Sequence, residues 1–128
     1  MRKVISLSIV VLSTLLIDIL PGYAGESAVS TMAGIMIGLK HYPGDADKKA
    51  LTAILESGDS SDAEKSIAMA ISNIKHKVTA ADKETLGVIA VDEHTAEKLR
   101  ELAAIVAATN HMPSAADIEK LQEIAGNR

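Results

Sequence analysis

A histidine followed six residues later by an aspartate occurs three times in this chain, at a constant interval of 35 residues. The three segments read HYPGDAD at 41–47, HKVTAAD at 76–82 and HMPSAAD at 111–117. Imidazole and carboxylate groups bind zinc or copper, transfer protons, or brace a turn through hydrogen bonds. The constant interval therefore raises the question of whether these pairs serve chemistry or structure.

A shared metal site is not what the spacing predicts. Packed helices lie roughly 8–10 Å apart, so equivalent positions in successive units should be separated by at least that distance. The ligands of one ion each lie about 2 Å from it. His41, His76 and His111 are therefore expected to lie too far apart to share an ion, and no metal, cofactor or catalytic site is predicted. Metal or haem ligation by these three histidines remains the alternative.

The structural interpretation assigns each histidine and aspartate to a turn between two helices. The histidine ring would donate to the last free carbonyls of one helix, where a cation also suits the helix dipole. The aspartate would accept from the first free N–H groups of the next helix and from the histidine ring. The pairs are His41 with Asp47, His76 with Asp82, and His111 with Asp117. On this interpretation, replacing His76 with alanine would cost about 1–2 kcal/mol of stability.

The histidines belong to a longer internal repeat. Residues 32–55, 67–90 and 102–125 align without gaps, and six columns are identical in all three copies. These columns are Ala33/Ala68/Ala103, His41/His76/His111, Ala46/Ala81/Ala116, Asp47/Asp82/Asp117, Leu51/Leu86/Leu121 and Ile54/Ile89/Ile124. Six columns in strict register, one of them an infrequent histidine, indicate a threefold repeat of a single structural unit.

Each repeat unit has the pattern of a helical hairpin. Apolar residues recur at helical spacing before and after the histidine. Thr79 and Ser114 stand at N-cap positions, and Ser61 with Glu64 forms a capping box. The fold class is therefore all-α: three tandem 35-residue hairpins, six helices in total, stacked as a short α-solenoid or closed into a bundle. The expected units are about 27–56, 61–91 and 94–126, with first helices near 27–41, 61–76 and 94–111 and second helices near 45–56, 80–90 and 115–126.

The N-terminus has the pattern of a signal peptide. Arg2 and Lys3 precede a mostly apolar stretch at 4–17, and Pro-Gly-Tyr-Ala at 21–24 supplies a helix breaker and a cleavage site. Residues 1–24 are predicted to be removed, which leaves one helical-repeat domain at 25–128 in the periplasm or outside the cell. An uncleaved membrane anchor is the alternative.

Composition excludes several functions. Without residues 1–24 the chain keeps 11 basic and 16 acidic residues, a net charge of −5. This balance disfavours nucleic acid and anionic membrane surfaces as partners. The absence of cysteine excludes disulfides, thiol catalysis and thiolate metal sites. No sequence motif of a nucleophile or phosphate loop occurs, so an enzyme is not predicted.

The leading functional prediction is an exported, non-enzymatic helical-repeat protein that binds a protein or peptide partner or a second copy of itself. Repeat proteins bind through side chains that differ between copies. The variable positions beside the histidines are Lys40, Tyr42, Lys75, Lys77, Asn110 and Met112. The alternative is a periplasmic metal- or haem-binding protein that uses the repeated histidines.

Overall fold

The computed structural model describes residues 28–126, which form six helices. The helices are α1 (described from 28 to 37), α2 (Asp45–Glu56), α3 (Asp62–Ser72), α4 (Ala80–Val91), α5 (Glu97–Ala108) and α6 (Ala115–Ala125). The predicted signal peptide at 1–24 lies outside these residues. In the part of the chain that is described, no helix has the length and apolar character needed to cross a membrane. The all-α class and the six helices predicted from the repeat are confirmed.

The two helices of each hairpin have different environments. The first helices are buried on several sides: α3 buries five side chains and α5 buries five. The second helices each bury two apolar side chains, which are Leu51 and Ile54, Leu86 and Ile89, and Leu121 and Ile124. Helix α2 packs against α3, α4 packs against α5, and α3 also contacts α5. The first helices thus form the inside of the bundle, and the second helices cover them.

The identical columns of the repeat explain this core. Ala33, Ala68 and Ala103 are fully buried on the inner helices, where a small side chain allows close approach of neighbouring helices. The leucine and isoleucine columns lie on the outer helices at 9% exposure or less. Three of the six identical columns therefore specify packing. The histidine and the alanine that precedes the aspartate are exposed, so packing does not explain them.

Helices α3, α4 and α6 begin where the capping residues predict, whereas α5 begins at Glu97 and not at the predicted position 94. The hydroxyl oxygens of Thr79 and Ser114 accept from the backbone N–H groups of Asp82 and Asp117, each at 3.1 Å. Such caps stabilise a helix by about 1 kcal/mol each. The capping box at the start of α3 is complete: Ser61 N–H donates to Glu64 Oε1 at 2.7 Å.

The inner helices end earlier than predicted. Helix α3 ends at Ser72 and α5 at Ala108, whereas the apolar pattern predicted helices continuing to 76 and 111. The repeated histidines have positive φ angles, which a right-handed helix cannot accommodate. Ile74 is still buried beyond the end of α3, so the chain keeps its apolar contact after it leaves the helix.

Candidate functional site

Each repeated histidine stands at the tip of a very tight turn. The φ angles of His41, His76 and His111 are 71°, 71° and 69°, and these are the only positive values among described residues other than glycine. The N–H of the residue after His41 donates to the carbonyl of the residue before it at 2.8 Å, and His111 repeats this pattern at 2.8 Å. At His41 and His111, a hydrogen bond spanning three residues with a positive central φ defines a rare, strained type of γ-turn. At His76 the bond runs the other way, from the N–H of Lys75 to the carbonyl of Lys77 at 3.4 Å.

The three turns are joined by a ring of backbone hydrogen bonds. The N–H of His41 donates to the carbonyl of His111 at 2.7 Å, that of His76 to the carbonyl of His41 at 2.6 Å, and that of His111 to the carbonyl of His76 at 2.5 Å. Each unit thus contacts both others, and the last returns to the first. The three hairpins therefore close into a ring around a pseudo-threefold axis, which favours the closed bundle over the open solenoid.

The imidazoles converge on this axis. The ring centroids are 5.1 Å apart for His41 and His76 and 5.2 Å apart for each of the other two pairs. The Nδ1 atoms of His41 and His76 lie 3.3 Å apart. One nitrogen from each of the three rings can be chosen so that all lie within 4.8 Å of one another. All three side chains are exposed to solvent, and we call them the histidine triad.

The expectation that these rings lie too far apart to share an ion is therefore wrong. The separation of roughly 8–10 Å applies to equivalent residues on helices packed side by side. In a closed ring of three units, residues at the axis approach one another regardless of the distance between their helices. The turns carry the histidines beyond the helix ends and onto that axis.

The expected pairing of histidine with aspartate is also different in the structure. Within residues 28–126, no hydrogen bond joins an imidazole of the triad to Asp47, Asp82 or Asp117. Asp47 instead accepts from the backbone N–H of Gly44 at 3.1 Å, and Asp82 accepts from the amide side chain of Asn73 at 3.0 Å. The carboxylates of Asp47 and Asp82 thus stabilise the turns that precede their helices. The histidine side chains are left available for another role.

The residues predicted to face a partner surround the triad. All six are exposed, and together we call them the rim: Lys40, Tyr42, Lys75, Lys77, Asn110 and Met112. Tyr42 and Met112 are the largest apolar side chains of this rim, with 62% and 56% exposure. The three lysines give the rim positive charge, which contrasts with the negative charge of the whole chain.

Comparisons with protein-family models, with curated proteins and with solved structures find no match to this chain. A functional interpretation therefore depends on the geometry of the triad and of the rest of the described residues.

The sequence contained one signal for the triad. An exposed turn with a positive φ ordinarily takes glycine, because glycine has no Cβ to clash with the preceding backbone. Here histidine occupies all three tips, while the residues on either side differ between copies. An imidazole repeated at three exposed positions with positive φ is therefore a candidate for a chemical role.

Proposed function

We propose that this protein binds one transition-metal ion, zinc or copper(II), through the imidazoles of His41, His76 and His111. The observation that carries the proposal is the convergence of the three rings, with 3.3 Å between the Nδ1 atoms of His41 and His76. Imidazole is a preferred ligand of both ions. The cluster contains no carboxylate, which disfavours magnesium and calcium.

The distances suit a tetrahedral ion. With Zn–N bonds of 2.0–2.1 Å, two ligand nitrogens in a tetrahedral site lie about 3.3 Å apart. One pair of the triad already has this separation. Starting from the upper limit of 4.8 Å, the remaining nitrogens need to approach by about 1.5 Å or less. Rotation about the side-chain torsions supplies such a movement. The backbone of all three residues meanwhile stays held by the ring of hydrogen bonds.

The strain at the turns supports the same function. A non-glycine residue in the left-handed region costs of order 1–3 kcal/mol, and such residues cluster at functional sites. The imidazoles recover none of this cost through burial, because they are exposed. Binding one ion to all three rings would offset the strain and would crosslink the three units.

A three-histidine site leaves a fourth coordination position for water or another ligand. This position would face solvent beside Lys40, Lys75 and Lys77, which are exposed. Zinc bound by three protein ligands has the open geometry that permits exchange. Ion capture and delivery fit such an exposed site. Haem is less well supported, because an exposed triad lacks the apolar crevice that encloses a large cofactor.

Isothermal titration calorimetry with zinc on the 128-residue chain tests the proposal. We expect one ion per chain with a Kd of about 1 μM or tighter at neutral pH. His76→Ala should weaken binding at least about 100-fold, since it removes one of three ligands. His94→Ala is the matched control, because His94 is exposed and lies outside the triad. The same titration is repeated with copper(II), and affinities weaker than about 100 μM for both ions on the unaltered chain would exclude the proposal.

The pH dependence provides a second readout of the same site. Metal ligation requires neutral imidazoles, so protons compete with zinc for the ring nitrogens. Zinc affinity should fall steeply as the solution is acidified, with up to three protons displaced per ion bound. Binding that is unchanged by acidification would place the ion on other ligands.

A second candidate function is the docking of a protein or peptide partner on the rim. The exposure of Tyr42 and Met112 beside the charged Lys77 favours it, since aromatic and methionine side chains are enriched at interfaces. Simultaneous replacement of Tyr42, Lys77 and Met112 by alanine should abolish any interaction made through this edge. Partner binding that survives the triple replacement would exclude the rim as the interface. The two functions are compatible, because the rim surrounds the triad.

A further inference from the structure

The opposite end of the pseudo-threefold axis contains a cavity of about 600 Å³. Its lining includes Val29, Glu64 and Leu99, which are separated by 35 residues and so occupy the same position in the three units. Helix α3 spans 11 residues, or about 16 Å, between the cavity and the turn of His76. The cavity is thus a second feature of the axis, distinct from the triad.

Glu64 departs from the apolar type of its column. Its side chain is 5% exposed, whereas valine and leucine stand at the same position in the other units. One carboxylate oxygen has a structural role, since Glu64 Oε1 accepts from Ser61 N–H at 2.7 Å. The other oxygen, Oε2, is buried and has no hydrogen-bond partner among the described residues. The helix cap therefore accounts for the position of Oε1 but gives Oε2 no partner.

We infer that the cavity binds a small organic cation, an ammonium group attached to a compact apolar body. A buried carboxylate oxygen without a partner is costly, and a positively charged N–H donor compensates it best through a charge-assisted hydrogen bond. Most of the remaining wall near Glu64 is apolar and includes Ala63, Leu99 and Ile124. Cavities of this size enclose small ligands through apolar contacts, with a few polar groups fixing orientation.

The other charged side chains that line the cavity do not pair with Glu64. Glu97, Lys98 and His94 also line it, and all three are exposed residues whose charges are solvated. Neither Lys98 nor His94 forms a hydrogen bond with Glu64 Oε2. An anionic ligand placed beside Glu64 would be repelled by the buried carboxylate.

Three probes of similar length but different charge test the inference: hexylammonium, 1-hexanol and hexanoate. Each is titrated into the isotopically labelled full chain with a chelator present, and the amide signals of Ser61 and Glu64 and the methyl signals of Leu99 are followed by NMR. We expect a Kd of about 1 mM for hexylammonium, at least about tenfold weaker binding of hexanol, and no binding of hexanoate. Equal affinity for hexylammonium and hexanol, or no perturbation of these signals up to about 20 mM ammonium, would overturn the inference.

Glu64→Gln provides the matched variant. Glutamine keeps an oxygen that can accept from Ser61 N–H, so the helix cap is retained while the negative charge is lost. Hexylammonium affinity should fall about tenfold or more, and hexanol affinity should be unchanged. Equal losses for both probes would indicate a structural role for Glu64 and refute the charge pairing. The comparison of probes on the unaltered chain decides the question if this variant fails to fold.

Discussion

Replacing His76 with glycine separates the energetic cost of this turn from its chemistry. Glycine removes the imidazole and also removes the Cβ that is strained at φ 71°. If the imidazole serves metal binding, the variant should be more stable than the unaltered chain without metal and should lose its response to zinc. If the imidazole caps the preceding helix, the variant should be less stable under all conditions.

The expected magnitude follows from the backbone geometry. A Cβ in the left-handed region costs about 1–2 kcal/mol. Removing this Cβ therefore stabilises the fold, but the greater conformational freedom of glycine in the unfolded chain reduces the stabilisation by roughly 0.5–1 kcal/mol. The net stabilisation without metal is therefore about 0.5–1 kcal/mol, or about 2–8 °C in Tm for a domain of this size. Zinc at about 100 times its Kd would add about 2.7 kcal/mol to the unaltered chain alone and reverse the order.

Thermal unfolding followed by circular dichroism measures both orders, first with a chelator and then with excess zinc. His94→Gly is the control, because His94 is exposed and has no positive φ. The control should not gain stability from the substitution and should keep the full response to zinc. A lower Tm for His76→Gly in chelator would show that the imidazole itself stabilises the turn. An equal rise in Tm with zinc for His76→Gly and for the unaltered chain would place the ion elsewhere.

Four further predictions concern the fold. Gly87→Ala should stabilise the protein by about 0.5–1 kcal/mol in thermal unfolding, because Gly87 is exposed within α4 and a Cβ there meets nothing within 4 Å. Leu86→Ala should cost about 2–5 kcal/mol in chemical denaturation, since Leu86 is fully buried. Thr79→Ala should cost about 1 kcal/mol in the same assay through loss of the α4 cap. The pKa of Asp92 is lowered from 3.8, chiefly by the backbone N–H of His94 and then by the hydroxyl of Thr95. The ionised carboxylate therefore stabilises the fold above pH 3.8, and this stabilisation is lost as the pH falls through the lowered pKa. The difference in unfolding free energy between Asp92→Ala and the unaltered chain should accordingly disappear in acid.

The repeat was sufficient to predict the class and number of helices because each unit carries its own local signals. Apolar spacing predicted the buried faces, and hydroxyl side chains at Thr79 and Ser114 predicted two helix starts that the structure confirms. The ends of the inner helices were predicted less well. The apolar pattern continues to Ile74, although α3 stops at Ser72, because burial of a side chain does not require helical backbone.

The triad was missed because its assembly depends on the angle between units. That angle follows from the packing of fully buried side chains such as Ala33 and Ala68, and a small change in it converts a closed ring into an open stack. The ring is then joined by backbone N–H and carbonyl groups, which every residue except proline carries. No side-chain pattern records such bonds, so the sequence left both architectures open.

Closure of three units has different consequences at the two ends of the axis. A residue type repeated at the axis presents three equivalent groups to one point, as His41, His76 and His111 do. Such an arrangement suits a spherical ion, which has no polar end to orient. A column that breaks the repeat presents unlike groups, as Glu64 does between valine and leucine. A buried carboxylate beside apolar side chains suits an organic cation, whose charged and apolar ends must be distinguished. The three equivalent histidines at one end of the axis therefore argue for a spherical ion. Glu64, which breaks the repeat at the other end, argues for a second ligand with distinct charged and apolar ends.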